Sequence, residues 1–199
     1  MEKDNEFLTK VSGLFLENGP KGVTMDDVAR ELRISKKTLY KKYKNKEALL
    51  NAVLSFGMDR VLFKMRSLDK KIDNAIERMF SRDEDLERAS KTNDSILLKQ
   101  LIKFYPNMFN KHMKDFSENF SQILVHNVER GRKQGYYREG FDERYYARMY
   151  FQLVMSYDSS LYLDTSKISR REHQHEALMF YMNAITTEKG KKYMNAMQM

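Results

Sequence analysis

Apolar residues return every three or four positions along most of this chain, and no stretch alternates apolar and polar residues long enough to mark a strand, so the pattern predicts an all-α protein. Phe7, Leu8, Val11, Leu14 and Phe15 form the first stripe, on a helix that should stop near Asn18 and Gly19 with Pro20 enforcing the stop. Thr24 is a good N-cap with Asp27 placed to reach back. Met25, Val28, Ala29 and Leu32 then give a helix from about Met25 to Leu32. After a tight turn Ser35 caps a second short helix on which Leu39 and Tyr43 lie four apart. Asn45 caps a longer one, running to about Arg66 on Leu49, Leu50, Val53, Leu54, Val61 and Leu62. Further helices are predicted at about 70–80, 94–104, 107–132, 142–162, 168–186 and 188–197. Pro106 should open the helix at 107–132, because proline is tolerated in a first helical turn. The stretch from Ser81 to Asp94 is almost wholly polar and reads as a solvated helix extension or a loop.

Two short helices around a tight turn, followed by a long one, form the layout of a DNA-reading helix-turn-helix. Charge sharpens that picture. From Arg33 to Lys46 there are seven Lys or Arg and no Asp or Glu, a charge of +7 in fourteen residues, within a chain of net charge +8. A surface of this kind attracts the phosphate backbone. The candidate DNA-contacting residues are Thr24, Ser35, Lys36, Lys37, Thr38, Tyr40, Lys41, Lys42, Tyr43 and Lys46. Taken alone, lysines on a short amphipathic helix are an ordinary solvated face; here cap, turn, apolar spacing and charge coincide.

The same window resembles the N-terminal domain of the TetR family of bacterial transcriptional regulators. The matching residues are Leu14-Phe15, Gly19, Thr24, Val28-Ala29, Ile34-Ser35, Thr38-Leu39-Tyr40, Tyr43, Lys46-Glu47 and Leu49-Leu50. Family members often carry Gly in the turn and before the Thr-Leu-Tyr run, where this chain has Arg33 and Lys37. Arg33 must then adopt the turn geometry without the freedom of glycine. A weaker likeness, in GYYREGFDERYYARMYF, reaches the C-terminal half. The resemblance implies a reading domain at 1–50, an effector-binding and dimerisation domain at 51–199, and a homodimer on a pseudo-palindromic double-stranded operator. It also implies repression relieved by a small-molecule effector.

The twelve Phe, twelve Tyr and fourteen Met suit helix cores and a largely apolar or aromatic pocket. The candidate pocket comprises Tyr105, Met108, Phe109, His112, Met113, Phe116, Asn127, Tyr146 and Tyr150, with His112 and Asn127 either satisfied core residues or polar anchors. Leu178, Met179, Met182 and Ile185 form the candidate dimer stripe. No cofactor and no metal are expected. Glu172 and His175 make half of a di-iron signature without the second Glu-x-x-His pair, and His173 and His175 diverge on a helix. Phosphate-loop, dinucleotide, HExxH and GxSxG patterns are missing, so catalysis has no support. There is no cysteine, and neither a signal-peptide core nor a membrane-length apolar run occurs, so a cytoplasmic protein is expected. The rival reading is a basic helical module that binds an acidic protein or a membrane surface through the same lysines.

Overall fold

A computed structural model describes residues 2–81, 96–160 and 162–197, and among these ten helices occur. They are α1 Glu2–Gly22, α2 Met25–Glu31, α3 Lys36–Lys42, α4 Lys46–Lys71, α5 Ala75–Phe80, α6 Ile96–Phe104, α7 Pro106–Lys133, α8 Glu143–Ser159, α9 Arg170–Ile185 and α10 Glu188–Met197. No strand is formed among the described residues; one isolated antiparallel bridge joins Tyr137 and Thr186. The polar stretch read as helix extension or loop lies, apart from Ser81, outside the described residues.

The chain packs as two compact units, Met1–Val61 with Glu84–Asp115 and Leu62–Asp83 with Phe116–Met199. In the first, Val11, Phe15, Val28, Leu39, Leu49 and Leu50 are wholly buried and share one core with Leu101. α6 packs on α1. The stop expected at Gly19 is present as a kink, with φ +71° and ψ 150°. A side chain there would be strained by the positive φ and would also displace the Gln100 amide, 2.7 Å from the Cβ position, whose oxygen accepts a hydrogen bond from Lys21 N at 2.7 Å.

In the second unit Ile76, Val128, Met182 and Ile185 are wholly buried beside Ala75, Tyr137 and Tyr181. Asn127 and Tyr137 satisfy each other within this core. Asn127 donates to Ala75 O at 3.0 Å, and the Tyr137 hydroxyl lies 3.0 Å from the same carbonyl and 3.1 Å from Asn127 Oδ1. The Tyr150 ring stacks between Phe120 and Tyr181, with centroids at 6.0 and 4.8 Å. Burial pushes the Tyr150 phenol up to about 12 and raises the Tyr137 and Tyr181 phenols as well. For an acid whose pKa is raised by folding, stability is complete below the unfolded value, near 10, and is lost as pH rises through the folded one. The second unit should therefore weaken between about pH 10 and 12. Tyrosine absorbance should show these phenolates appearing together with the loss of helix, and independent titration at pH 10 in a folded chain would contradict the packing described.

Candidate nucleic-acid interface

The reading pair is built by its caps. The Thr24 hydroxyl accepts from Asp27 N at 3.1 Å while the Asp27 carboxylate accepts from Thr24 N at 2.9 Å, closing a capping box on α2. Bonding to Thr24, helped by the adjacent Arg30, holds the Asp27 carboxyl below its usual range. Ser35 Oγ accepts from Thr38 N at 3.0 Å and starts α3. Between the helices Arg33 takes φ +53°, the left-handed conformation that the missing glycine would otherwise supply. α2 ends one residue earlier than Leu32, which caps it.

α3 turns only Leu39 fully inward. Lys36, Lys37, Thr38, Tyr40, Lys41 and Lys42 are exposed, Tyr40 by 49%. Tyr43 departs from expectation: it is the C-cap in extended conformation, φ −131°, and its half-buried ring stacks on Phe7 at 5.8 Å. The Lys42 ammonium sits over both rings, 4.6 Å from Phe7 and 5.7 Å from Tyr43, and pairs with Asp4. Lys36 pairs with Asp26. Lys46 donates to Val23 O at 2.9 Å, and burial lowers its pKa. Thr24 and Ser35 are occupied as caps, and Thr38 Oγ1 shares a hydrogen bond with Ser35 Oγ at 2.7 Å.

Of the ten candidates, Lys37, Tyr40 and Lys41 are thus presented outward without an internal ion pair among the described residues. Lys44, exposed beyond the helix, belongs with them and was legible only as one more charge in the run. The acids Asp4 and Asp26 restrain the face from positions that gave no signal in sequence.

The candidate pocket residues divide between the units. Tyr105, Met108 and Phe109 pack against the first core, and His112 Nε2 lies 2.8 Å from Asn51 Oδ1, with Met113 half-buried nearby in sequence. Phe116 belongs to an aromatic group with Phe120 and Phe151, Tyr146 packs on Phe141 at 4.6 Å, and Asn127 is satisfied core. The dimer stripe needs correction. Met182 and Ile185 are wholly buried in the second unit's own core and Leu178 and Met179 pack against it, because the α9 face that carries them is the one covered within the subunit. The apolar side chain that α9 leaves outside is Phe180, 64% exposed, and α8, which packs on α9, exposes Tyr145 and Met149. Glu172 caps α9 through Ser169, and His173 bonds to Leu153 O and Ser156 Oγ, so both serve local structure.

Residues 12–53 match the family model described as bacterial regulatory proteins, tetR family. No curated protein matches the sequence. Among solved structures, a transcriptional regulator from Cytophaga hutchinsonii is similar with a TM-score of 0.77 and 14% identity, over 94% of this chain and 100% of that one. The reduced form of NemR from E. coli gives 0.70 and 18%, over 91% and 96%. SmeT, the repressor of the Stenotrophomonas maltophilia multidrug efflux pump SmeDEF, gives 0.65 and 17%, over 92% and 89%. The capped helix pair, the positive-φ turn and the lysine-rich outer face of α3 all lie within the segment that matches the tetR family model, and over more than nine-tenths of its length the chain shares the fold of these solved regulators.

Proposed function

We propose that this chain is a cytoplasmic homodimeric repressor, with reading residues 1–50 and an effector-binding and dimerising remainder 51–199, released from a pseudo-palindromic operator by a small, largely apolar or aromatic effector. The observation that carries the reading is α3 itself: Leu39 is wholly buried while Lys37, Tyr40 and Lys41 stand outward. One seven-residue helix makes few base contacts, and a two-fold pair doubles them at fixed spacing. SmeT is itself a repressor, and its likeness supports repression as the mode. Exposed Tyr145, Met149 and Phe180 supply the apolar surface a dimer needs. α4 contributes to both compact units as one unbroken helix, which supports mechanical coupling of ligand and DNA.

Selection of binding sites from a random duplex library tests this directly. A palindromic consensus is expected; binding without sequence preference, or equal binding to anionic vesicles, would favour the basic interaction module. On the selected site the lysines should separate. Lys37→Ala is expected to cost about 1–3 kcal/mol and relax preference at one base position. Lys41→Ala should weaken specific and random duplex alike and reduce the salt slope by about 0.9. Equal loss on both DNAs for both variants would sink the assignment of α3.

A further inference from the structure

The second unit carries a groove whose lining includes none of the candidate DNA-contacting or pocket residues. Its walls are two stripes at helical spacing, Phe63, Arg66, Ser67 and Lys70 on α4 and Asn119, Gln122, Ile123 and His126 on α7, flanking a half-open groove of about 320 Å³. That volume lies at the small end of small-molecule sites, about 300–1,000 Å³. Asp69 also lines it, and this carboxylate is shared by two guanidinium groups, Arg130 at 3.0 Å and Arg78 at 3.4 Å. Arg78 is 7% exposed and its Nε makes no hydrogen bond, so the cluster buries more positive charge than its one acid balances. Arg66 and Lys70 add two cations on the wall. Glu118, an acid on α7 one residue from Asn119, is committed to Arg144 and Arg148.

The neutral lining is equally selective. Arg66 Nη2 donates to Asn119 Oδ1 at 2.7 Å, which holds the guanidinium against α7 with its other N–H groups remaining as donors. Gln122 Nε2 and His126 Nε2 lie 3.3 Å apart. Phe63 is 68% exposed, an apolar ring beside these polar groups, and Ile123 is buried below.

The geometry points to a binding site for a small aromatic acid, its carboxylate held by Arg66 and Lys70 and its ring laid against Phe63 and Ile123. A guanidinium binds a carboxylate through paired, charge-assisted hydrogen bonds, and the unbalanced arginines behind Asp69 favour the anion over its neutral isostere.

The full chain is titrated calorimetrically with benzoate, and with benzamide as the neutral isostere, in DNA-free buffer, so the result stands apart from the operator reading. One benzoate per chain is expected, with benzamide weaker by about tenfold or more. Arg66→Gln and Lys70→Gln, both on the surface, should each weaken benzoate by a similar factor. Phe63→Ala should weaken benzoate and leave acetate unchanged, and Lys167→Gln, in the turn with Asp164, should do nothing. Unchanged thermal unfolding of each variant keeps the comparison on binding. Equal affinity for benzamide, full benzoate affinity in the Arg66→Gln, Lys70→Gln double variant, or no saturable benzoate binding at millimolar concentration would each overturn the site.

Discussion

Leu39→Ala is expected to abolish DNA binding while leaving the remainder of the protein folded and its association state unchanged. Leu39 is the single α3 side chain fully buried, in a core with Phe15, Val28 and Leu49. Truncating a buried leucine costs about 2–5 kcal/mol, transfer and cavity together. The cavity cannot close easily, because α3 has seven residues and is fixed at both ends, by Ser35 before and the Tyr43–Phe7 stack after. Local melting of α3 should follow, read as loss of amide protection over 35–43 with protection in the second unit retained. Operator binding by this variant at wild-type affinity would mean that Leu39 does not hold the reading face in place.

A second large effect is expected on α9, from neighbouring residues with opposite roles. Phe180→Asp should dissociate the proposed dimer by about 2 kcal/mol or more, as loss of an aromatic anchor does, while leaving the subunit's unfolding transition nearly unchanged. Met182→Ala should do the reverse, costing about 2–5 kcal/mol of stability at constant association, because Met182 is wholly buried within the subunit. Sedimentation gives the mass and denaturant unfolding the stability. A Phe180→Asp chain that keeps its dimer would move the interface off this face.

That pair also shows where sequence reading ends. Spacing of three and four residues identifies an amphipathic helix and even its apolar face, so α1 to α10 are legible, α5 as the helix read at 70–80 that starts only at Ala75, as are the caps at Thr24, Ser35 and Asn45. Spacing does not say what covers the face. Leu178, Met182 and Ile185 read as surface awaiting a partner, yet the subunit's own core takes them, and solitary Phe180 shows no pattern at all. Helix ends were less legible than helix interiors. α4 was expected to end near Arg66 but continues to Lys71, through a polar stretch in which Asp69 is anchored by Arg130 from α7. Tyr43 was placed on the helix by its spacing from Leu39, and its stacking on Phe7, thirty-six residues earlier, draws it out of helical geometry. The pocket candidates suffered similarly, because an aromatic stripe along α7 cannot show that its first half belongs to one packing unit and its second half to the other.

The acids beneath the lysine face change what its charge is worth. Seven cations lie between Arg33 and Lys46, but Lys36 and Lys42 rest on Asp26 and Asp4, and Lys46 on a backbone carbonyl. When such a lysine meets a phosphate it exchanges one anionic partner for another, and the abandoned aspartate must collect a cation from solution. The DNA sheds a counterion and the protein takes one up, so the exchange is nearly silent in salt. Ionic strength should therefore govern this protein's grip on DNA as though each subunit carried about five cations on this face rather than seven, each one without an acid partner counting for about 0.9 in the slope. A regulator built this way keeps more of its operator affinity as intracellular salt rises than its raw charge would suggest.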